Sequence, residues 1–109
     1  MSQTEGKDVF TDVAQPQSPR RFLDFSAALQ LVKMGMRATR TGWNGKDMFV
    51  YMVPSSEFKV SRPPLLGIFA LDTDIHYRAH IDMRYADGSC GVWSPSNSDL
   101  LANDWECFP

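Results

Sequence analysis

Two cysteines and two histidines are few for a chain of 109 residues, and their spacing excludes the common metal frameworks. Cys90 and Cys107 form no C-x-x-C pair. His76 and His80 lie four apart with no third ligand and no Glu-x-x pattern beside them. Reduced thiols, exposed polar histidines, no metal and no cofactor are therefore expected. Also missing is any apolar run near the roughly eighteen residues of a membrane span. The first residues lack the basic-then-apolar order of a signal peptide, so the expectation is a cytoplasmic protein that touches no membrane. Positive charge is not in excess either. Eleven Lys and Arg stand against thirteen Asp and Glu, for a net charge of -2, and the counterion-displacing footprint of a nucleic-acid polymer binder is absent. A small anionic ligand stays compatible with this balance, because two or three Arg or Lys side chains inside a pocket can hold a pyrophosphate.

Catalytic frames are lacking as well. Neither of the glycine-rich phosphate loops, G-x-G-x-x-G and G-x-x-x-x-G-K-[ST], occurs. Ser89, within Asp87-Gly88-Ser89-Cys90-Gly91, lacks the strained G-x-S-x-G elbow, and no histidine follows it. Most of Asp72, Asp74, Asp82 and Asp87 read as solvated or turn residues. An enzyme is not expected.

What the chain does contain is one domain's worth of alternating pattern behind a polar arm. Residues 1–21 are rich in Ser, Gln, Thr, Asp and Pro, with too little apolar surface to order themselves; they are expected to form a flexible arm, and residues 22–109 a single ligand-binding domain. Phe25, Ala28, Leu29 and Val32 follow helical spacing, with Asp24 as the cap and Gly35 as the stop. Met36 to Arg40 alternates like a half-buried strand. Asn44-Gly45 then predicts a tight two-residue hairpin turn, placing Trp43 near an exposed tip before a strand from Met48 to Val53.

Between Pro54 and Ala79, the Pro and Gly content predicts a long loop around a short apolar island, Leu65 to Phe69. His80 to Tyr85 restores the strand period, Asp87-Gly88 supplies a turn, and Cys90 to Trp93 returns antiparallel. Asn97 or Ser98 is expected to cap one helical turn, followed by a closing strand, Trp105 to Phe108, with Trp105 in the core. The sum is an α+β fold: a small twisted antiparallel sheet, one main helix and a short C-terminal helical turn.

Aromatic and polar residues concentrate at the turns. Indole faces at Trp43 and Trp93 suit stacking on a purine, and the Asn44 amide suits a base edge. The bland alternative is that both tryptophans are ordinary core residues, since Trp is highly buried on average. Arg40, beside Trp43, and Arg84, in the strand leading to Trp93, could reach phosphates near a stacked base, whereas Lys46 reads as solvated surface.

These residues carry a family resemblance. Phe25-x-x-Ala28-Leu29, Gly35, Arg40-x-x-Trp43-Asn44-Gly45-Lys46 and Met48-Phe49 stand in order, then Arg62-Pro63-Pro64-Leu65 and Tyr77-Arg78-x-His80-Ile81-Asp82-Met83. Ala86-Asp87-Gly88, Trp93, Ser96 and Asp99-Leu100-Leu101-Ala102-x-Asp104-Trp105 close the series. Together they resemble the second Thoeris anti-defence family of phages, from Phe22 to the end of the chain, with a departure at Ser94-Pro95, where many relatives carry larger apolar residues. The resemblance implies a homotetramer in the cytoplasm of an infected bacterium that sequesters glycocyclic ADP-ribose without degrading it. It further implies, for some members, separate sites for the cyclic dinucleotides of the cyclic-oligonucleotide pathway (CBASS). By position it implies Trp43 and Asn44 as pocket residues, and its C-terminal motif is matched at Trp93, Ser96 and Asp99; with Met48 and the phosphate candidates Arg40 and Arg84, these are the expected ligand-binding residues. Two other readings are an enzyme that opens the cyclic signal, using His76, His80 and nearby aspartates, and a virion or host-interaction protein whose aromatic turns form a protein interface.

Overall fold

The computed structural model describes residues 20–109. Most of the arm expected over residues 1–21 lies outside them; its last two residues, Arg20 and Arg21, belong to the first strand. The chain runs β1 (Arg20–Leu23), α1 (Phe25–Lys33), β2 (Arg37–Arg40), β3 (Phe49–Val53), β4 (Ser56–Lys59), β5 (Asp74–Tyr77), β6 (His80–Arg84), β7 (Cys90–Val92), α2 (Asn97–Leu101) and β8 (Trp105–Phe108). Six strands form one antiparallel sheet in the order β1-β8-β2-β3-β6-β7, and β4 pairs with β5 in a second, two-stranded sheet. This is the expected α+β architecture.

Helix α1 starts where Asp24 accepts the backbone N–H of Ala27 at 2.9 Å. It stops at Gly35, whose φ of +101° lies in the left-handed region that suits glycine. Its inner stripe, Ala28, Leu31 and Val32, packs on Ala38, Val50, Met83, Trp105 and Cys107 of the sheet. Those sheet residues occupy alternate positions and so share one face. Burial of each larger side chain contributes about 1.5 to 3 kcal/mol.

Two local expectations give way to tertiary contacts. The β2–β3 connection spans residues 41–48 and is no two-residue turn at Asn44-Gly45; the left-handed position falls on Asp47, with φ +59°. Gly45 is required for a different reason. A Cβ there would collide with the Met48 side chain and sit 2.9 Å from the Ala86 Cβ. Thr39 Oγ1 donates to the Met48 carbonyl at 2.7 Å and ties down the far end of the loop.

The second difference lies between Pro54 and Ala79, where the expected loop contains the β4–β5 hairpin. Ladder β3–β6 ends at Val53↔His80 and pairing resumes at Ser56↔Tyr77. Pro54, with no N–H to donate, sits at that interruption. Beyond β4, Val60 is pinned by its N–H to the Thr73 carbonyl and by its carbonyl from Asp72 N–H, both at 2.9 Å. The turn at Asp87-Gly88 forms as the pattern predicts, with Gly88 at φ +90° and Asp87 accepting from the Ser89 backbone at 2.9 Å.

Candidate functional site

The open end of the helix-covered face carries a hydrogen-bonded node built from three segments. Asp99 sits in α2 because the chain turns there with a capping box: its backbone N–H donates to Ser96 Oγ at 3.1 Å, and Ser96 N–H donates to Asp99 Oδ2 at 2.9 Å. The cap is Ser96, one or two residues before the expected Asn97 or Ser98, because Asp99 stands three residues after it. Asp99 Oδ1 accepts from Arg40 Nη1 at 2.9 Å and from Trp43 Nε1 at 3.2 Å. Asp104 completes the node. Its Oδ1 accepts Arg40 Nε at 2.8 Å, and its Oδ2 accepts Gly42 N–H at 2.9 Å and Thr41 Oγ1 at 3.2 Å.

Electrostatics follow from this geometry. Burial pushes the Asp99 carboxyl up, but the Ser96 N–H, Arg40, Trp43 Nε1 and the Ser96 hydroxyl together hold it below its ordinary value. Arg40, first of all, holds Asp104 down, against a smaller effect of burial. The Arg40 guanidinium is raised in turn, chiefly by Asp104. Both carboxylates are thus held in their charged form by the groups that hydrogen-bond them.

Beneath the node lies an aromatic cluster. Trp105 is fully buried, its Nε1 donating to the Asp99 carbonyl at 3.0 Å. Trp43 meets it edge-on, with ring centroids 5.3 Å apart, and Trp93 meets it at 6.1 Å. Phe25 closes the group at 5.5 Å from Trp105 and 6.2 Å from Trp93. Trp43 is thus half-buried against the core instead of standing at an exposed tip, and Trp93 is likewise half-buried.

Arg40, Trp43, Trp93, Ser96 and Asp99 therefore come together. Asn44 is exposed beside Trp43, and Met48 packs partly buried under Gly45. Arg84 stands apart, on the opposite face of the sheet, where its Nη1 donates to the Asp47 carbonyl at 2.9 Å. Asp104 is the residue that motif reading left without a role, although its place in the Asp99 to Trp105 block was a usable signal. His76 stands 3.5 Å from Glu57 and is exposed; His80 stands 3.4 Å from Asp82. No group of three or more His, Cys, Asp or Glu able to hold a metal occurs among the described residues. Cys90 is an exposed free thiol, while Cys107 is buried and pushed up to about 11, mainly by desolvation.

Positions 23–108 match the Thoeris anti-defense 2-like domain. The chain is also 32% identical, over 84 residues, to Thoeris anti-defense 2 of Bacillus phage SP01, an alignment covering 77% of this chain and 92% of that protein.

Proposed function

The chain belongs to the Thoeris anti-defence 2 family, and from that membership we propose that it disarms a bacterial immune signal by binding and holding it intact. Its role is that of a phage anti-defence protein. In this reading the ligand is glycocyclic ADP-ribose, with cyclic dinucleotides as a second class, and the working unit is a homotetramer in the cytoplasm of the infected cell. The observation that carries the binding reading is the clamp on Trp43. Its indole is held at Nε1 by Asp99 and edge-on by Trp105, with exposed Asn44 next to it. A ring already fixed in place loses little conformational entropy when a base stacks on it.

Sequestration without cleavage fits the chemistry of the node, whose two carboxylates are spent on Arg40, on Trp43 Nε1 and on backbone donors. A nanomolar sponge needs about -12 kcal/mol. Stacking supplies about 1 to 3 kcal/mol per base, so charge-assisted hydrogen bonds to phosphate and closure by a neighbouring subunit supply the rest.

Calorimetric titration of the purified protein with glycocyclic ADP-ribose, followed by heat release and chromatography, tests the reading. Tight binding with the ligand recovered unchanged is expected. An altered product would make the protein an enzyme, and a tight host-protein complex with no nucleotide binding would make it an interaction protein. Trp43→Ala would also remove packing on Trp105, so Asn44→Ala is the cleaner variant: it should weaken binding and leave the melting temperature unchanged.

A further inference from the structure

Strand register assigns the face of the sheet turned away from α1. Alternation from the pairs Arg37↔Phe108, Phe49↔Arg84, Tyr51↔Asp82 and Arg84↔Cys90 puts these side chains on one surface. Phe49 and Tyr51 lie along its middle strand, with ring centroids 5.9 Å apart. Arg37 stands on one side, its guanidinium carbon 5.1 Å from the Phe49 ring centre and 4.6 Å from that of Phe108. Arg84 stands on the other. Residues Arg37, Phe49, Tyr51, Arg84, Cys90 and Pro109 are among those lining a depression of about 440 Å³ there, within the size range of small-molecule sites.

The charges on this face are unevenly matched. Glu106 is taken by Arg21 at 2.9 Å, while Asp82 stands 3.4 Å from His80 with its buried Oδ1 making no hydrogen bond. Asp87 lies near Arg84, but its Oδ1 is occupied by the Ser89 hydroxyl and N–H. Arg37 donates from Nε and Nη2 only to the Pro109 backbone oxygen, and Arg84 from Nη1 only to the carbonyls of Asp47 and Tyr85. Among the described residues Arg84 has no carboxylate partner and Arg37 has only the oxygen of Pro109, the last residue, whereas Arg40 has two side-chain carboxylates. Two guanidiniums beside aromatic rings, in a concave site, suit a ligand that is both aromatic and anionic. The Arg84 bond to Asp47 also ties this face to the loop that carries Trp43 and Asn44.

We propose that Arg37 and Arg84, flanking Phe49 and Tyr51 on the open face of the sheet, hold the phosphates of a nucleotide ligand. This rests on the binding reading above and gives the phosphate contacts to a different pair of arginines from the clamped Arg40. Arg37 and Arg84 lie two strands apart, so their backbones are separated by about 10 Å across the sheet, and long side chains from both sides can converge on one pyrophosphate.

Cys90 supplies a reporter on the unaltered protein, because it is exposed on this face while Cys107 is buried. Iodoacetamide labelling of Cys90 is followed by mass spectrometry, with and without saturating glycocyclic ADP-ribose, beside calorimetry of wild type, Arg37→Gln and Arg84→Gln. The expected result is ligand-dependent protection of Cys90 and an affinity loss of about tenfold or more in each variant, with inorganic pyrophosphate competing for the site. Binding of normal affinity with Cys90 still fully reactive would overturn the proposal and leave the sponge reading standing. Absence of any binding heat in the wild type would overturn both. A Cys90 unreactive before ligand is added, yet labelled after denaturation, would show this face closed by another copy of the chain and would also reject it.

Discussion

The two faces of one sheet treat similar residues in opposite ways. On the helix-covered face, aromatic rings pack around Trp105, and the single arginine there, Arg40, is neutralised by Asp99 and Asp104. On the open face, Phe49, Tyr51 and Phe108 stay half-exposed, Arg37 lies against two rings and donates to the Pro109 oxygen, and Arg84 donates to the carbonyls of Asp47 and Tyr85. The comparison teaches that an arginine next to an aromatic ring is not by itself a ligand contact. What distinguishes the two is whether the charge is already satisfied, because a desolvated ion pair resists exchange for a new partner.

Breaking the covered face should cost stability first. Trp105→Ala removes a fully buried indole and its bond to the Asp99 carbonyl, and a loss of about 4 kcal/mol in denaturant unfolding is expected. Asp99→Ala strips Arg40 and Trp43 of a shared acceptor and α2 of its capping box; about 3 kcal/mol should be lost in the same measurement. Gly45→Ala, which overpacks Met48 and Ala86, should cost about 1 to 3 kcal/mol.

Acid sharpens the contrast further. The carboxyls of Asp99 and Asp104 are lowered in the folded state. Their contribution is therefore fully present above the unfolded carboxylate value of about 3.9, and it is lost as pH falls through the lower folded values. Melting temperature should drop below about pH 4 in the wild type, and an Arg40→Met variant should show a shallower drop. On the open face, Arg84→Gln should cost only about 1 kcal/mol of stability, since it removes bonds to two exposed carbonyls. Smallest of all is Lys59→Ala, which breaks the exposed pair with Asp74; a change under about 1 kcal/mol is expected.

Legibility followed the range of the interactions. Helix α1 was readable with both its ends, because Asp24, Gly35 and the spacing of Phe25, Ala28 and Val32 act within a few residues of one another. The strands β2, β3, β6, β7 and β8 were likewise visible as alternation. Strands β1, β4 and β5 were missed: Arg20 and Arg21 read as part of the polar arm, and Ser56-Glu57-Phe58-Lys59 does alternate, but Pro54, Pro63 and Pro64 nearby weighted the segment towards a loop. Asn44-Gly45 misled in the opposite sense, since its turn preference was overridden by Met48 and Ala86 packing against a glycine with no Cβ.

Of the candidate site, the sequence by itself determined the cast: the family signature, the tryptophans and the absence of a catalytic frame. Tertiary structure alone decided their parts. Arg40 and Asp99 are 59 positions apart and Arg40 and Asp104 are 64 apart, distances at which no periodicity carries information about pairing. That Arg40 is the clamped arginine is settled only when strand register and the turn before β8 bring Asp99 and Asp104 beside it.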